Sequence, residues 1–263
     1  MKNYAFRLAE VFSTIFDSNR KRAFTLAEVL ITIGIIGVVV TITLPTLVQK
    51  KYEKEWVTAY LRVYSLLETA YHSAIEEYGT IENWEGSSFF RDSNNEIIRI
   101  NADKNTIYKN MIKPYVKINK EFTDLNWDQN GCMPKEWTLL DGSIRPNYFT
   151  GREPQISLLS GECILLEQAL GAHFTVDLNG LKGPNIFGKD IFIFSFDAKN
   201  TGRIKPGYNE ILWTDRAEYC DIHSGNGWNA GMSCGFWILR NHNMDYLHMP
   251  FEELKSKWNS QSW

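Results

Sequence analysis

Glu28 is the first residue whose placement invites chemistry. It stands directly before Val29–Val48, twenty residues without a charge. A carboxylate at the edge of so apolar a run must reach water at the headgroups or find a cationic partner. It also falls where a helix would begin, and the helix dipole favours negative charge there. A second group is Asp177, Asn179, Asn185 and Asp190, spread through the turn-rich stretch DLNGLKGPNIFGKD. Four oxygen-bearing side chains suit a hard cation such as calcium. The stretch lacks the spacing and closing Glu of an EF-hand, and two β-turns held by Asx hydrogen bonds explain the same residues. Both readings stand at this point. Four cysteines, Cys132, Cys163, Cys220 and Cys234, all lie beyond the apolar run. An even count in an exported segment predicts two disulfides, with reduced, buried thiols as the alternative.

Other chemistries lack their residues. The sequence contains no Gly-x-Ser-x-Gly, no phosphate-binding glycine loop and no His-Glu-x-x-His, and its five histidines are scattered singly. His223 and His242 lie near Cys220 and Cys234, but their spacing fits no zinc finger. The chain therefore reads as a non-enzyme, with calcium as the one cofactor its residues suggest.

The elements that position these residues follow from the patterning. At the rise of an α-helix, Val29–Val48 spans roughly 30 Å, the thickness of a bilayer core. Residues 1–23 hold Lys2, Arg7, Arg20, Lys21 and Arg22 against Glu10 and Asp17, a net +3 that leaves −6 for the remainder. Lys and Arg ahead of an apolar run favour a cytoplasmic N-terminus and an exported C-terminal part. A secretory signal would end in a small-residue cleavage site after the apolar run. Leu44-Pro45-Thr46-Leu47 offers none, so the helix is expected to be retained.

Past the membrane-length segment, Trp56, Tyr60, Val63, Leu67, Ala70, Ala74 and Tyr78 fall at helical steps and form one apolar stripe. Lys54, Arg62, Glu68 and Glu76 occupy other faces. Gly79 suits the left-handed residue that closes a helix. Phe24 to Tyr78 is then one helix of about 80 Å.

Beyond it, residues 79–95 are rich in Gly, Ser, Asn and Asp and read as a loop. Asn105 to Val116 reads as a short helix interrupted near Pro114. Trp137 onward is a strand ending in the Asp141-Gly142 turn. Cys163–Gln168 and His173–Leu178 read as paired strands around Gly171, and Asn179-Gly180 as a turn. Ile191–Phe196 (IFIFSF) reads as a buried strand. Several strands after one long helix predict an α+β head, an antiparallel sheet packed on that helix.

The segment Lys21-Arg22-Ala23-Phe24-Thr25-Leu26-Ala27-Glu28 resembles the processing site of type IV prepilins and type II secretion pseudopilins. That resemblance implies cleavage by a prepilin peptidase between Ala23 and Phe24, N-methylation of Phe24, and an assembly role for Glu28. Gly37 and Pro45 match positions where helices of that family loosen in the filament. Ala23 departs from the usual Gly, and the leader is long, with an amphipathic-looking stretch over residues 5–16. The implied division is a leader over 1–23, a membrane and assembly helix over 24–48, its amphipathic continuation over 49–78, and an exported head over 79–263.

The cysteines are read as Cys132–Cys163 and Cys220–Cys234, with the other connectivities open. The second pair would resemble the disulfide loop near the C-terminus of pilins, with Asn226, Trp228 and Asn229 as contact residues. Trp213, Phe236 and Trp237 are assigned to the core.

The function so implied is a filament subunit of a type IV pilus or type II secretion machine, in the cytoplasmic membrane of the cell before assembly. Its partners are the prepilin peptidase, other pilin-like subunits and the inner-membrane assembly platform. The alternative is a minor or tip protein whose loop binds a glycan, DNA or another protein. The acidic head weighs against nucleic acid.

Overall fold

The computed structural model describes residues 24–122, 131–146, 154–167, 172–208, 216–223 and 229–261. The leader with Ala23, and Gln168, Gly171, Trp213, Asn226 and Trp228, lie outside the described residues. The chain divides into two compact units between Lys50 and Lys51.

Helix α1 (Leu26–Tyr78) is 53 residues long and runs without a break through Gly37 and Pro45. Every residue from Phe24 to Tyr52 is exposed. In this stretch the polar side chains turn back on the helix itself. The Thr32 hydroxyl donates to Val29 O, Thr41 to Gly37 O and Thr43 to Val39 O, at 2.7–2.9 Å. An apolar solvent demands this, because it offers hydroxyls and backbone groups no partners. Pro45 has no N–H for the carbonyl one turn back, and the helix bears that loss without breaking. The helix therefore shows no loosening at Gly37 or Pro45 in the single chain.

The second unit is built on the rest of α1. Val57, Tyr60, Val63, Leu67, Ala70, Tyr71 and Ala74 are buried. The stripe thus includes Val57 and Tyr71, while Trp56 is half-buried and Tyr78 exposed. Helical steps from Tyr60 bring Val57, Val63, Tyr71 and Ala74 to one side. Gly79 closes the helix at φ +75°, its N–H bonded to Ile75 O at 2.9 Å.

Residues 79–95 contain more than a loop. Strand β1 (Ser88–Arg91) pairs antiparallel with β2 (Ile97–Asn101). The turn-rich residues are the hairpin's turn: Asp92 Oδ1 accepts from Asn94 N and Glu96 N, and Asn95 sits at φ +66°. Across the hairpin the Arg99 guanidinium lies 3.8 Å from the centre of the Phe90 ring.

Helix α2 (Lys104–Ile107) is capped by Asp103 Oδ1 and leads into a π-helical turn, Tyr108–Ile112, and then α3 (Lys113–Tyr115). Pro114 therefore does not interrupt this helix. The irregularity is the wider turn before it, where Lys113 N–H reaches Tyr108 O.

A six-stranded antiparallel sheet forms the centre of the unit. Its strands are β3 (Ile118–Phe122), β6 (Gln155–Leu158), β7 (Cys163–Glu167), β8 (His173–Asp177), β9 (Ile191–Phe196) and β10 (Ile204–Pro206). Their spatial order is β10-β9-β8-β7-β6-β3. Between β3 and β6 in sequence, β4 (Glu136–Thr138) and β5 (Ile144–Pro146) make a separate hairpin around Asp141-Gly142. Strands β7, β8 and β9 are buried at every position. On one face Phe192, Phe194 and Phe196 of β9 alternate toward α1, where ring centroids lie 4.7 Å for Tyr60–Phe192, 5.1 Å for Tyr60–Phe194 and 4.8 Å for Tyr71–Phe196. The fold is α+β, with the antiparallel sheet of a pilin-like head packed on the long helix.

One polar tie also joins α1 to the head. Arg62 forms an ion pair with Glu162, whose side chain is fully buried beside Ser160. Arg62→Met would leave that carboxylate buried and unpaired. The expected loss is about 3 kcal/mol, restored in large part by adding Glu162→Gln. Denaturant unfolding of the detergent-solubilised chain, followed by Trp fluorescence, measures both; equal stability of Arg62→Met and wild type would show that the pair contributes nothing.

The chain closes with α4 (Cys234–Asn241) and α5 (Phe251–Asn259). Phe236 and Trp237 are buried, and Trp237 stacks on Trp258 with centroids 6.0 Å apart. Two disulfides are present, Cys132–Cys163 and Cys220–Cys234, with Cα–Cα separations of 5.6 and 4.8 Å.

Candidate functional site

At the start of α1, Thr25 and Glu28 satisfy each other. The Thr25 N–H and hydroxyl donate to Glu28 Oε2 at 2.8 and 2.9 Å, and the Glu28 N–H donates to Thr25 Oγ1 at 3.2 Å. This is a capping box: two backbone donors that a helix start leaves open are closed by the side chains three residues apart. The Thr25-x-x-Glu28 spacing before an apolar run is the sequence signal of that motif, and the reading of Glu28 from the sequence did not use it. Glu28 is thus held close to the chain at the residue that follows Phe24, and Phe24 itself is 67% exposed.

From Val29 to Val48, α1 carries no charge and presents apolar side chains on all sides. Leu30, Ile31, Ile33, Ile35, Ile36, Val38, Ile42, Leu44 and Leu47 are each more than half exposed. Surface of this extent is covered in a working protein, by lipid or by other chains. The helix is long and apolar enough to cross a membrane.

The head carries the other candidate residues. The β8–β9 connection, with a 3-10 turn at Gly180–Lys182, brings Asp177, Asn179, Asn185 and Asp190 together. Asp190 is the hub. Its Oδ2 accepts from Asn185 N at 2.9 Å and Asn179 Nδ2 at 3.2 Å, and its Oδ1 from Ile186 N at 2.7 Å. Asp177 Oδ1 accepts from Asn179 N at 3.0 Å. The Asx hydrogen bonds expected of a turn are therefore present. Both carboxyls are buried. Burial, then the neighbouring Asp190, push Asp177 up to about 8, and burial raises Asp190 as well, against the N–H groups that lower it.

Cys220 and Cys234 are joined to each other, so neither thiolate is free for zinc. Asn229 is the one proposed contact residue of this loop among the described residues, and it is half-buried.

One constellation escaped the sequence. Glu167, His173 and Ser195 are register partners on β7, β8 and β9. His173 Nε2 lies 3.1 Å from Glu167 Oε2, and the Thr175 hydroxyl donates to Glu167 Oε1 at 2.5 Å. All three of the row are at most 2% exposed. A row closed from solvent cannot meet a substrate, so it serves as a cross-link of the sheet. Only the strand register reveals it, because Glu167 and His173 pair through a connection whose length fixes nothing by itself.

The geometry at the N-terminus defines a class: a long apolar helix opened by an exposed aromatic residue and a capped glutamate. The prokaryotic N-terminal methylation motif matches residues 18–44, and the chain is of the type IV prepilin and pseudopilin type. A second model matches residues 46–210, more than half of the chain, and the chain belongs to that family, a family of unknown function (DUF6613). No curated protein and no solved structure matches the chain.

Proposed function

We propose that the chain is a structural subunit of a type IV pilus or type II secretion filament, made as a precursor and cut between Ala23 and Phe24 by a prepilin peptidase. The observation that carries this reading is the junction itself. Phe24 and the Thr25–Glu28 box lead straight into an unbroken helix whose apolar side chains are uncovered. Before assembly the helix is held by lipid in the cytoplasmic membrane, with the basic leader inside and the head on the periplasmic or outer side. In the filament the same surface packs against the helices of neighbouring subunits, delivered by an inner-membrane platform. The role is structural rather than catalytic.

Cleavage creates a new ammonium at Phe24, methylated in the mature protein. Glu28 of an adjoining subunit then becomes its partner, and the pair sets the register between helices more than it adds stability. Mass spectrometry of assembled material is expected to find N-methyl-Phe24 at the mature N-terminus. An intact Met1 there would overturn the reading. Abundance in sheared filaments separates a major subunit from a minor or tip one.

A further inference from the structure

We propose that the cleft between the end of α1 and the π-helical turn Tyr108–Ile112 binds a neutral saccharide, with the buried Asn110 amide as its central contact. The cleft has a volume of about 350 Å³. That lies at the lower end of the range for small-molecule sites, with room for a mono- or disaccharide.

Asn110 is where the chemistry starts. The residue is only 8% exposed, and it lines the cleft. Its side-chain amide has no hydrogen-bond partner among the described residues. A polar side chain so deeply placed normally finds a partner inside the protein. Leucine, of nearly the same size, would fill the position without leaving a polar group unpaired. Asn110 instead turns its donors and its acceptor into the open cleft.

The local backbone places it there. Asn105 and Lys109, and Thr106 and Asn110, are pairs four residues apart that share the cleft face, while Ile107, Met111 and Ile112 are buried in the core. Asn110 stands at the centre of the π-helical turn, a rare backbone form that recurs at functional sites.

The opposite wall is aromatic and fixed. Tyr78, 37% exposed, and the buried Trp84 line it, and the Trp84 ring is held by Nε1 donating to Gly79 O at 2.9 Å. Gly86 lets the two walls meet. It sits at φ +78°, and a Cβ there would lie 2.9 Å from Asp103 Cβ at the start of α2. The cleft is therefore formed before a ligand arrives.

The lining selects the ligand. Asn83, Asn105 and Asn110 contribute amides and Thr106 a hydroxyl, groups that both donate and accept. Sugar hydroxyls do the same and are matched by them. The aromatic wall suits the C–H face of a sugar ring. Glu85 and Lys109 are exposed and opposite in charge, so the cleft carries no net charge and favours no ion. An aliphatic side chain of a peptide would cover the amides and leave them unpaired. Water fills the cleft of the free protein, and ligand hydroxyls replace it bond for bond.

The test uses the full chain in micelles of a detergent without a sugar headgroup. Saturation-transfer NMR is recorded with galactose, N-acetylglucosamine and chitobiose, and with N-acetylneuraminate and adenosine as a charged and a planar contrast. A neutral sugar is expected to bind with Kd on the order of 1 mM. Asn110→Leu should melt no lower than wild type and weaken that binding by about tenfold or more. Tyr78→Ala, at an exposed position, should weaken it in the same titration. Absence of transfer to every neutral sugar would overturn the site. So would full binding by Asn110→Leu, or tighter binding of N-acetylneuraminate or adenosine than of any neutral sugar. A lower Tm of Asn110→Leu would show that the amide serves the fold, and would overturn it too. None of these outcomes bears on filament assembly, which is tested at Phe24.

Discussion

Glu28→Ala chains are expected to be cut and methylated like the wild type and yet to be depleted from assembled filaments, by at least about tenfold, since an ammonium deprived of its partner in a dry interface loses several kcal/mol. The comparison is made by quantifying the chain in sheared filaments and in membranes of the same cells. Alanine removes two things at once. It removes the charge, and it opens the capping box in which Glu28 Oε2 accepts from Thr25 N at 2.8 Å. The cap alone is worth about 1 kcal/mol to the helix start. Glu28→Gln separates them, because the amide oxygen still accepts from Thr25 while the charge is gone. If pairing with a neighbouring Phe24 ammonium drives assembly, Glu28→Gln is depleted like Glu28→Ala. If the cap is what counts, Glu28→Gln assembles. Normal incorporation of Glu28→Ala would sink the assembly role altogether.

The box also says something about the order of events. In the single chain Glu28 is already satisfied, by its own Thr25. A neighbour's ammonium must therefore offer more than the Thr25 N–H and hydroxyl do. In water it would not, since exposed pairs are worth little. In a dry bundle of helices the same attraction is far stronger. The glutamate can thus stay quiet in the precursor and engage only where helices exclude solvent, which suits a subunit that waits in the membrane before it assembles.

How far the sequence could be read depended on how local the cause was. The apolar helix was legible because every residue from Val29 to Val48 carries the same signal. IFIFSF was legible as a buried strand for the same reason: Phe192, Phe194 and Phe196 repeat at the period of a strand and bury against α1. Strand β1 was missed because its short run sits inside a turn-rich composition, and the turn at Asp92–Asn95 dominated the window. Pro114 was taken as a break because proline removes an N–H. The backbone answered with a π turn upstream, a choice no residue type announces. The Arg62–Glu162 pair and the Glu167–His173 contact needed the third dimension. Asp177, Asn179, Asn185 and Asp190 were visible as a set, but the fact that three of their oxygens are buried without partners was not.

Gly231→Ala is expected to destabilise the head by about 3–5 kcal/mol, through a left-handed backbone and a steric overlap that add. Gly231 sits at φ +98°, and a Cβ there would lie 2.3 Å from Phe187 O and 2.5 Å from Phe187 C. Neither side can retreat easily. Phe187 is held by its N–H to Thr138 O at 2.9 Å and by Trp137, whose ring centroid is 5.0 Å away. Gly231 donates to Tyr219 O at 2.7 Å and lies inside the segment closed by Cys220–Cys234. Gly142→Ala is the control: φ is +85° there, but a Cβ would meet nothing within 4 Å. It should cost only the backbone strain, about 1–2 kcal/mol. Thermal unfolding of both variants in detergent separates the two causes. An equal loss at the two positions would mean that strain alone acts at Gly231, and that the joint between Phe187 and the disulfide-closed segment is looser than its geometry implies. A larger loss at Gly231 would locate the rigidity of the head at that joint, beside the β8–β9 connection.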